Sequence, residues 1–205
     1  WRPIWQSMFR EFSNTKFAVG TCNGTSALHL ALVALGISKD DEVIIPSFTM
    51  IASAFAVCYT GAKPIFVDSD PDTWNIDVSR IEEKITSKTK AIMPVHIFGL
   101  PCNMDKINEI AKKYKLKVIE DAAEAHGAEY NSKRIGSLSD ISTFSFFANK
   151  NITTGEGGMV LTNSEKLYDA CKYHKNLCFS LTEARNYIHE DIGFNYRLSN
   201  IHAAI

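Results

Sequence analysis

Short β-rich runs alternate with helix-length amphipathic stretches along almost the whole chain, and few architectures accommodate that pattern. The runs at 42–45, 64–68, 91–96, 117–121, 141–146 and 159–162 read as strands, most of them bounded by Gly, Pro, Asp or Asn. Helical patterns fall between and around them, at 25–35, 50–60, 78–85, 104–114 and 164–174, the last opened by Asn163 and Ser164 as cap candidates. Strands separated by helices imply an α/β fold with a mainly parallel sheet covered on both faces. Beyond 176 the alternation stops. An irregular stretch to 193 precedes a last amphipathic helical start at Leu198.

Composition removes several function classes. Of 205 residues, 45% are hydrophobic and the net charge is −1, which is unlike a disordered chain and lacks the basic excess of a nucleic-acid binder. No apolar run approaches the roughly 20 residues that cross a bilayer, so no membrane association is expected. The five cysteines are scattered without a C-x-x-C pair, which gives neither a zinc site nor a disulfide framework and suits a reducing cytoplasm. His29, His96 and His189 form no metal-ligand spacing and are read as core or loop residues. The first residues lack an initiator Met, and the last break off inside a helical pattern. The expectation is therefore a chain entered midway, with an N-terminal helical segment at 1–16 and one large domain at 17–205.

In an open α/β sheet, ligands sit outside the carboxyl ends of the strands. Four segments there carry chemistry. Gly20–Ala27 is a small-residue turn running into an apolar helix, whose free N–H groups, glycines and hydroxyls can cradle an anion; taken alone, an ordinary N-cap at Thr25 or Ser26 explains it better. The strand at 117–121 ends in the acidic pair Glu120 and Asp121, able to hold a cationic heterocycle or to cap the next turn. Lys150 follows the aromatic run 144–147 and precedes a Gly-rich turn, a setting for Schiff-base chemistry or for an ordinary loop lysine. Gly193–Asn200 packs polar residues before the last helix. Phosphate site, strand-end carboxylate and later lysine, in that order, are together what pyridoxal phosphate needs.

At these residues the sequence resembles the DegT/DnrJ/EryC1/StrS family of pyridoxal-phosphate-dependent sugar aminotransferases. The resemblance runs from about Phe17 to the end, through NGTSALHLAL, DDEVIIPSFT, GAKPIFVD, AIMPVHIFG, VIEDAAEAHGA, FSFFANKNITTGEGGMV and GFNYRLSNIHAAI. NKNITTGEGGMV looks most like members of the perosamine synthase type, which aminate C4 of nucleotide-linked 4-keto-6-deoxy sugars. The resemblance implies an aspartate-aminotransferase-like large domain without its smaller C-terminal domain. It implies Lys150 as the Schiff-base lysine and proton carrier, and Asp121 as the partner of the pyridine nitrogen. It further implies Thr25, Ser26 and Ser145 around the phosphate and Glu124 beside the ring, where many members have Gln. Asn195 would reach the cofactor of a second subunit in a homodimer. The implied reaction moves an amino group from glutamate, through pyridoxamine phosphate, to a nucleotide-linked keto sugar. Lys150 itself favours amino transfer, because the family's dehydratases carry His there. Met50 departs from the aromatic residue often found at its position. The alternative is a non-catalytic relative that keeps the motifs without turnover.

Overall fold

A computed structural model describes residues 1–181 and 187–205; residues 182–186, within the stretch expected to be irregular, lie outside them. The elements run α1 (Arg2–Phe12), β1 (Phe17–Thr21), α2 (Gly24–Ala34), β2 (Glu42–Pro46), α3 (Ala52–Tyr59), β3 (Lys63–Val67), β4 (Thr89–Ile92), α4 (Met104–Tyr114), β5 (Lys117–Asp121), the two-residue pair β6 (Glu129–Tyr130) and β7 (Lys133–Arg134), β8 (Ile141–Ser145), β9 (Gly158–Thr162) and α5 (Glu165–Lys175). The main sheet has seven strands in the order β1-β9-β8-β5-β4-β2-β3. β9 pairs antiparallel with both β1 and β8, and the other pairings are parallel. The carboxyl ends of six strands therefore meet on one edge, together with the start of β9.

Alternation along each strand sends neighbours to opposite faces. On β2, Val43 and Ile45 join the core under α2 and α3 with Leu28, Leu30 and Val57, while Ile44 joins Ile92, Met104 and Ile107 under α4. α1 closes the end of that second face, where Phe9 packs against Phe144, Phe146 and Met159. α2 is apolar nearly all round, as a helix buried on most sides must be. Its one histidine, His29, is buried and satisfied by the Tyr196 hydroxyl, 2.9 Å from Nδ1.

Local chemistry explains where the architecture departs from the sequence reading. Segment 78–85 is two 3₁₀ turns, Val78–Arg80 and Glu82–Lys84, instead of one helix. The Asp77 carboxylate accepts from both the backbone N–H and the hydroxyl of Ser79, closing a tight turn that an α-helix cannot continue. β1 was not foreseen, because a five-residue edge strand containing Gly20 has little local signature. Nor was the β6–β7 hairpin, whose Asn131 and Ser132 both have positive φ, as tight hairpin turns require. The strand expected at 91–96 ends at Ile92, and the helical start at Leu198 yields only a 3₁₀ turn, His202–Ala204, capped by the Ser199 hydroxyl.

Candidate active site

Asp121 is the last residue of β5, 5% exposed, with its carboxylate at the edge where the strand ends meet. Oδ2 accepts from the Ser53 hydroxyl at 2.8 Å, and Oδ1 accepts from the Ala123 N–H at 3.2 Å. Ser53 is fully buried on α3 and lies 3.0 Å from the Thr49 hydroxyl. Since its one proton goes to Asp121, Thr49 is the donor of that pair. Burial pushes the Asp121 carboxyl above its ordinary range, while Ser53, Ala123, His96 and the Lys150 charge pull it back. A carboxylate has about four lone-pair sites, and two donors leave acceptor capacity for a cationic N–H.

Directly behind it, Glu120 and His96 are both fully buried. The Glu120 carboxylate accepts from the N–H groups of Gly136 and Leu138, from the Ser139 hydroxyl at 2.7 Å, and from His96 Nε2 at 3.3 Å. Burial opposes ionisation of Glu120, but these donors outweigh it and hold the carboxyl below its usual value. Cys102 N–H lies 3.1 Å from His96 Nδ1 while Nε2 faces Glu120, and although burial opposes charge on the ring, the Cys102 and Glu120 contacts outweigh it and raise the His96 pKa from 6.5 to about 9. The backbone N–H of His96 donates to the Asp121 carbonyl. This pair anchors the end of β5 and leaves no open coordination position.

Lys150 sits in the loop after β8, which folds back on itself: Phe146 N–H donates to Gly157 O, and the Thr153 hydroxyl donates to Phe146 O. The lysine side chain is 16% exposed, and its Nζ lies 3.5 Å from Glu124 Oε1. Two turns of chain separated by 26 residues are thus joined at the amine. Next to them His126 is boxed by Phe9, Phe144 and Phe146, and neither ring nitrogen reaches a hydrogen-bond partner among the described residues. Burial first, then the Lys150 charge, lowers its pKa from 6.5 to about 4. A base depressed in the folded state stabilises fully above its unfolded pKa and less as pH falls toward the folded one. Unfolding free energy is therefore expected to drop by about 2 kcal/mol between pH 7 and pH 5 from this group, and His126→Phe to remove that drop in urea titrations.

The amino end of α2 forms the third side. Its N-cap is Asn23, whose side chain accepts from Ser26 N–H at 2.8 Å, so capping is not the task of Thr25 or Ser26. A Cβ at Gly24 would stand 2.7 Å from Ser145 Cβ, so only glycine lets the β8 end lie against this helix start. Ser145 and the first turn of α2 are thereby neighbours, with helix N–H groups and hydroxyls gathered as a phosphate requires. Ser145 Oγ also accepts weakly from Phe147 N–H, at 3.4 Å.

Asp121, Glu124, Lys150 and the Gly24–Ser145 junction thus share one edge of the sheet. Asn195 makes no hydrogen bond to these side chains among the described residues: it is exposed, its side chain accepts from Arg197 Nε at 3.0 Å, and its backbone bridges to Asn176. Met50 is 70% exposed. His189 is exposed too, with Nδ1 against Leu177 O. Ser53 was missed in the sequence reading, since a serine inside an apolar helix gives no sign of a partner 68 residues away. An open groove of about 670 Å³ lies elsewhere, between the 70–79 segment and α4, and none of the candidate residues lines it. Among the described residues there is no cluster of three or more His, Cys, Asp or Glu suited to a metal, and no helix long and apolar enough to cross a membrane.

This arrangement fits pyridoxal phosphate on its own geometry: a buried carboxylate with spare acceptor capacity, a nearby lysine, and a helix start that a single added methyl group would obstruct. Known proteins agree. The chain is 58% identical over 200 residues to GDP-perosamine synthase of Escherichia coli O157:H7, covering 98% of this chain and 54% of that protein. It is 53% identical to GDP-perosamine synthase of Caulobacter vibrioides, covering 98% and 53%. The structure of ntda from Bacillus subtilis with bound cofactor PMP matches at a TM-score of 0.93 and 36% identity, covering 98% of this chain and 46% of that one. The chain thus spans about half the length of the curated relatives it matches. Residues 5–205 match the family's pattern, and from fold, site and sequence together the chain belongs to the DegT/DnrJ/EryC1/StrS aminotransferase family, whose cofactor is pyridoxal phosphate.

Proposed function

We propose that this chain is the cofactor-binding part of an aminotransferase that moves an amino group from glutamate to the C4 keto group of a nucleotide-linked 4-keto-6-deoxy sugar, as in perosamine-type amino-sugar synthesis. The observation that carries this reading is a buried Asp121 carboxylate at the strand ends that feels the charge of Lys150, whose amine Glu124 meets at 3.5 Å. Identity above 50% to two proteins named GDP-perosamine synthase supports the substrate class.

When bound, pyridoxal phosphate supplies an electron sink and a carrier for the amino group. The chain's own residues do the rest. Asp121, fixed by Ser53, keeps a proton on the ring nitrogen. The desolvation that raises its pKa would be offset by a protonated ring nitrogen placed against it. Thr25, Ser26 and Ser145 hold the phosphate at the start of α2. Lys150 Nζ would anchor the cofactor and carry the proton at the reacting carbon. Glu124 would lie beside the ring.

Asn195 is exposed, which suits a role in a second copy's site, and we infer a homodimer from that together with the family resemblance. The five free cysteines fit a cytoplasmic setting. Incubation with pyridoxal phosphate, ¹⁵N-labelled glutamate and a GDP-linked 4-keto-6-deoxy sugar tests the reading. A ¹⁵N-labelled 4-amino sugar is expected; release of 2-oxoglutarate without any labelled sugar would reject the substrate class, and neither product would favour a non-catalytic relative.

A further inference from the structure

The carboxylate that meets Lys150 also holds a second piece of chain. While Glu124 Oε1 lies 3.5 Å from Lys150 Nζ, Oε2 accepts the N–H of Phe98 at 2.8 Å. Phe98 sits at φ +52, a left-handed conformation that bulky residues avoid unless their surroundings impose it. The next residue, Gly99, has φ +85, and a Cβ there would stand 3.0 Å from the Glu124 carbonyl oxygen. The far side of this turn is fixed by Asn75, whose Oδ1 accepts from Ile97 N–H and whose Nδ2 donates to Leu100 O, each at 3.0 Å. The turn presents the Phe98 ring, 79% exposed, to Phe48, which in turn meets Trp74 edge-on at 5.1 Å. An exposed aromatic wall thus stands one carboxylate away from the lysine.

We propose that Glu124 is a positioning residue that sets the Lys150 amine and the Phe98 turn from the two oxygens of one carboxylate, so that displacement of either is felt by the other. The inference rests on the proposed function only in taking Lys150 as the reacting group. Gln in place of Glu124 keeps one oxygen acceptor and the side-chain length but loses the charge. Ala loses both contacts.

The test uses the whole chain and two readouts: amide hydrogen exchange at Phe98, and the rate at which trinitrobenzenesulfonate labels Lys150, mapped by mass spectrometry. Labelling is compared at one fixed pH, because Asp121 and His126 also face the amine. Glu124→Ala is expected to speed Phe98 exchange by about tenfold or more, the usual scale for losing a hydrogen bond to a charged group. Glu124→Gln is expected to leave that exchange within about twofold while changing Lys150 labelling at least about threefold. Gly99→Ala, whose new methyl meets Glu124 and not Lys150, is expected to change Lys150 labelling as well. Wild-type Phe98 exchange in Glu124→Ala would overturn the proposal. So would a Gly99→Ala variant that exchanges faster at Phe98 while labelling at the wild-type rate, since the two contacts would then be independent. If Glu124→Ala fails to fold, the other two variants decide. Neither readout involves cofactor or sugar, so a failed amino-transfer assay and a failed coupling are separately visible.

Discussion

Lys150→Ala is expected to abolish amino transfer from glutamate while the folded structure persists. The side chain is part-buried in a loop and contacts Glu124, and it supports none of the apolar clusters between sheet and helices. Its removal is therefore expected to change the unfolding free energy by less than about 1 kcal/mol, as for most substitutions outside a core or network. The chemical loss is of another order. Without an amine at this point there is neither a covalent anchor nor a proton carrier at the reacting carbon. Positioned acid–base groups alone contribute on the order of 10²–10⁴ in rate. Turnover, followed as 2-oxoglutarate release, is expected to fall at least that far, with circular dichroism unchanged. Lys150→Arg, which keeps the charge and loses the nucleophile, is expected to be equally inactive. An arginine variant with substantial turnover would show that the positive charge, and not the amine, is what the site uses.

Glu120→Ala is expected to be the most damaging single change to stability. The carboxylate is completely buried and takes four donors, from His96, Gly136, Leu138 and Ser139. Removing one partner of a buried polar network while leaving the rest without acceptors costs about 3–5 kcal/mol. That is a large share of the 5–15 kcal/mol a domain possesses. Because the His96 backbone N–H donates to the Asp121 carbonyl while its ring meets Glu120, loosening His96 also loosens the end of β5 that carries the site. The sign with pH follows from the depressed carboxyl: stability from Glu120 is complete above the unfolded value of 4.5 and is lost as pH falls through the lower folded value. It therefore acts at lower pH than the loss from His126, which begins near 6.5. Urea unfolding of wild type, Glu120→Ala and His126→Phe from pH 7 to pH 4 separates the two.

The readable parts of this chain were those whose chemistry is local. Strand-to-helix alternation gave the sheet, and the boundaries of β5 and α4 agree with their sequence patterns, because an apolar strand ending in Asp121 and an amphipathic helix capped by Asn103 announce themselves within a few residues. The candidate residues on strand ends and helix starts stood out as segments for the same reason, while the roles proposed for them came only with the family resemblance. What escaped depends on distant partners. Ser53 acquires its meaning only when α3 packs over β5, and the Glu120–His96 pair only when β5 lies beside the Val95–His96 segment. Asn23 was overlooked as the cap because Thr25 and Ser26 are also good capping residues, and backbone geometry alone chooses among them. In segment 78–85 an apolar spacing suited to a helix yielded to the stronger local pull of the Asp77 carboxylate.

The most direct test of the whole account is the chemical identity of the residue that takes the cofactor. The purified chain is incubated with pyridoxal phosphate, reduced with borohydride, digested and mapped by mass spectrometry. A single phosphopyridoxyl label on Lys150, abolished in Lys150→Ala and weakened in Asp121→Ala, is the expected result. A label on another lysine, or labelling of Lys150 that is indifferent to Asp121, would contradict the site described at the strand ends.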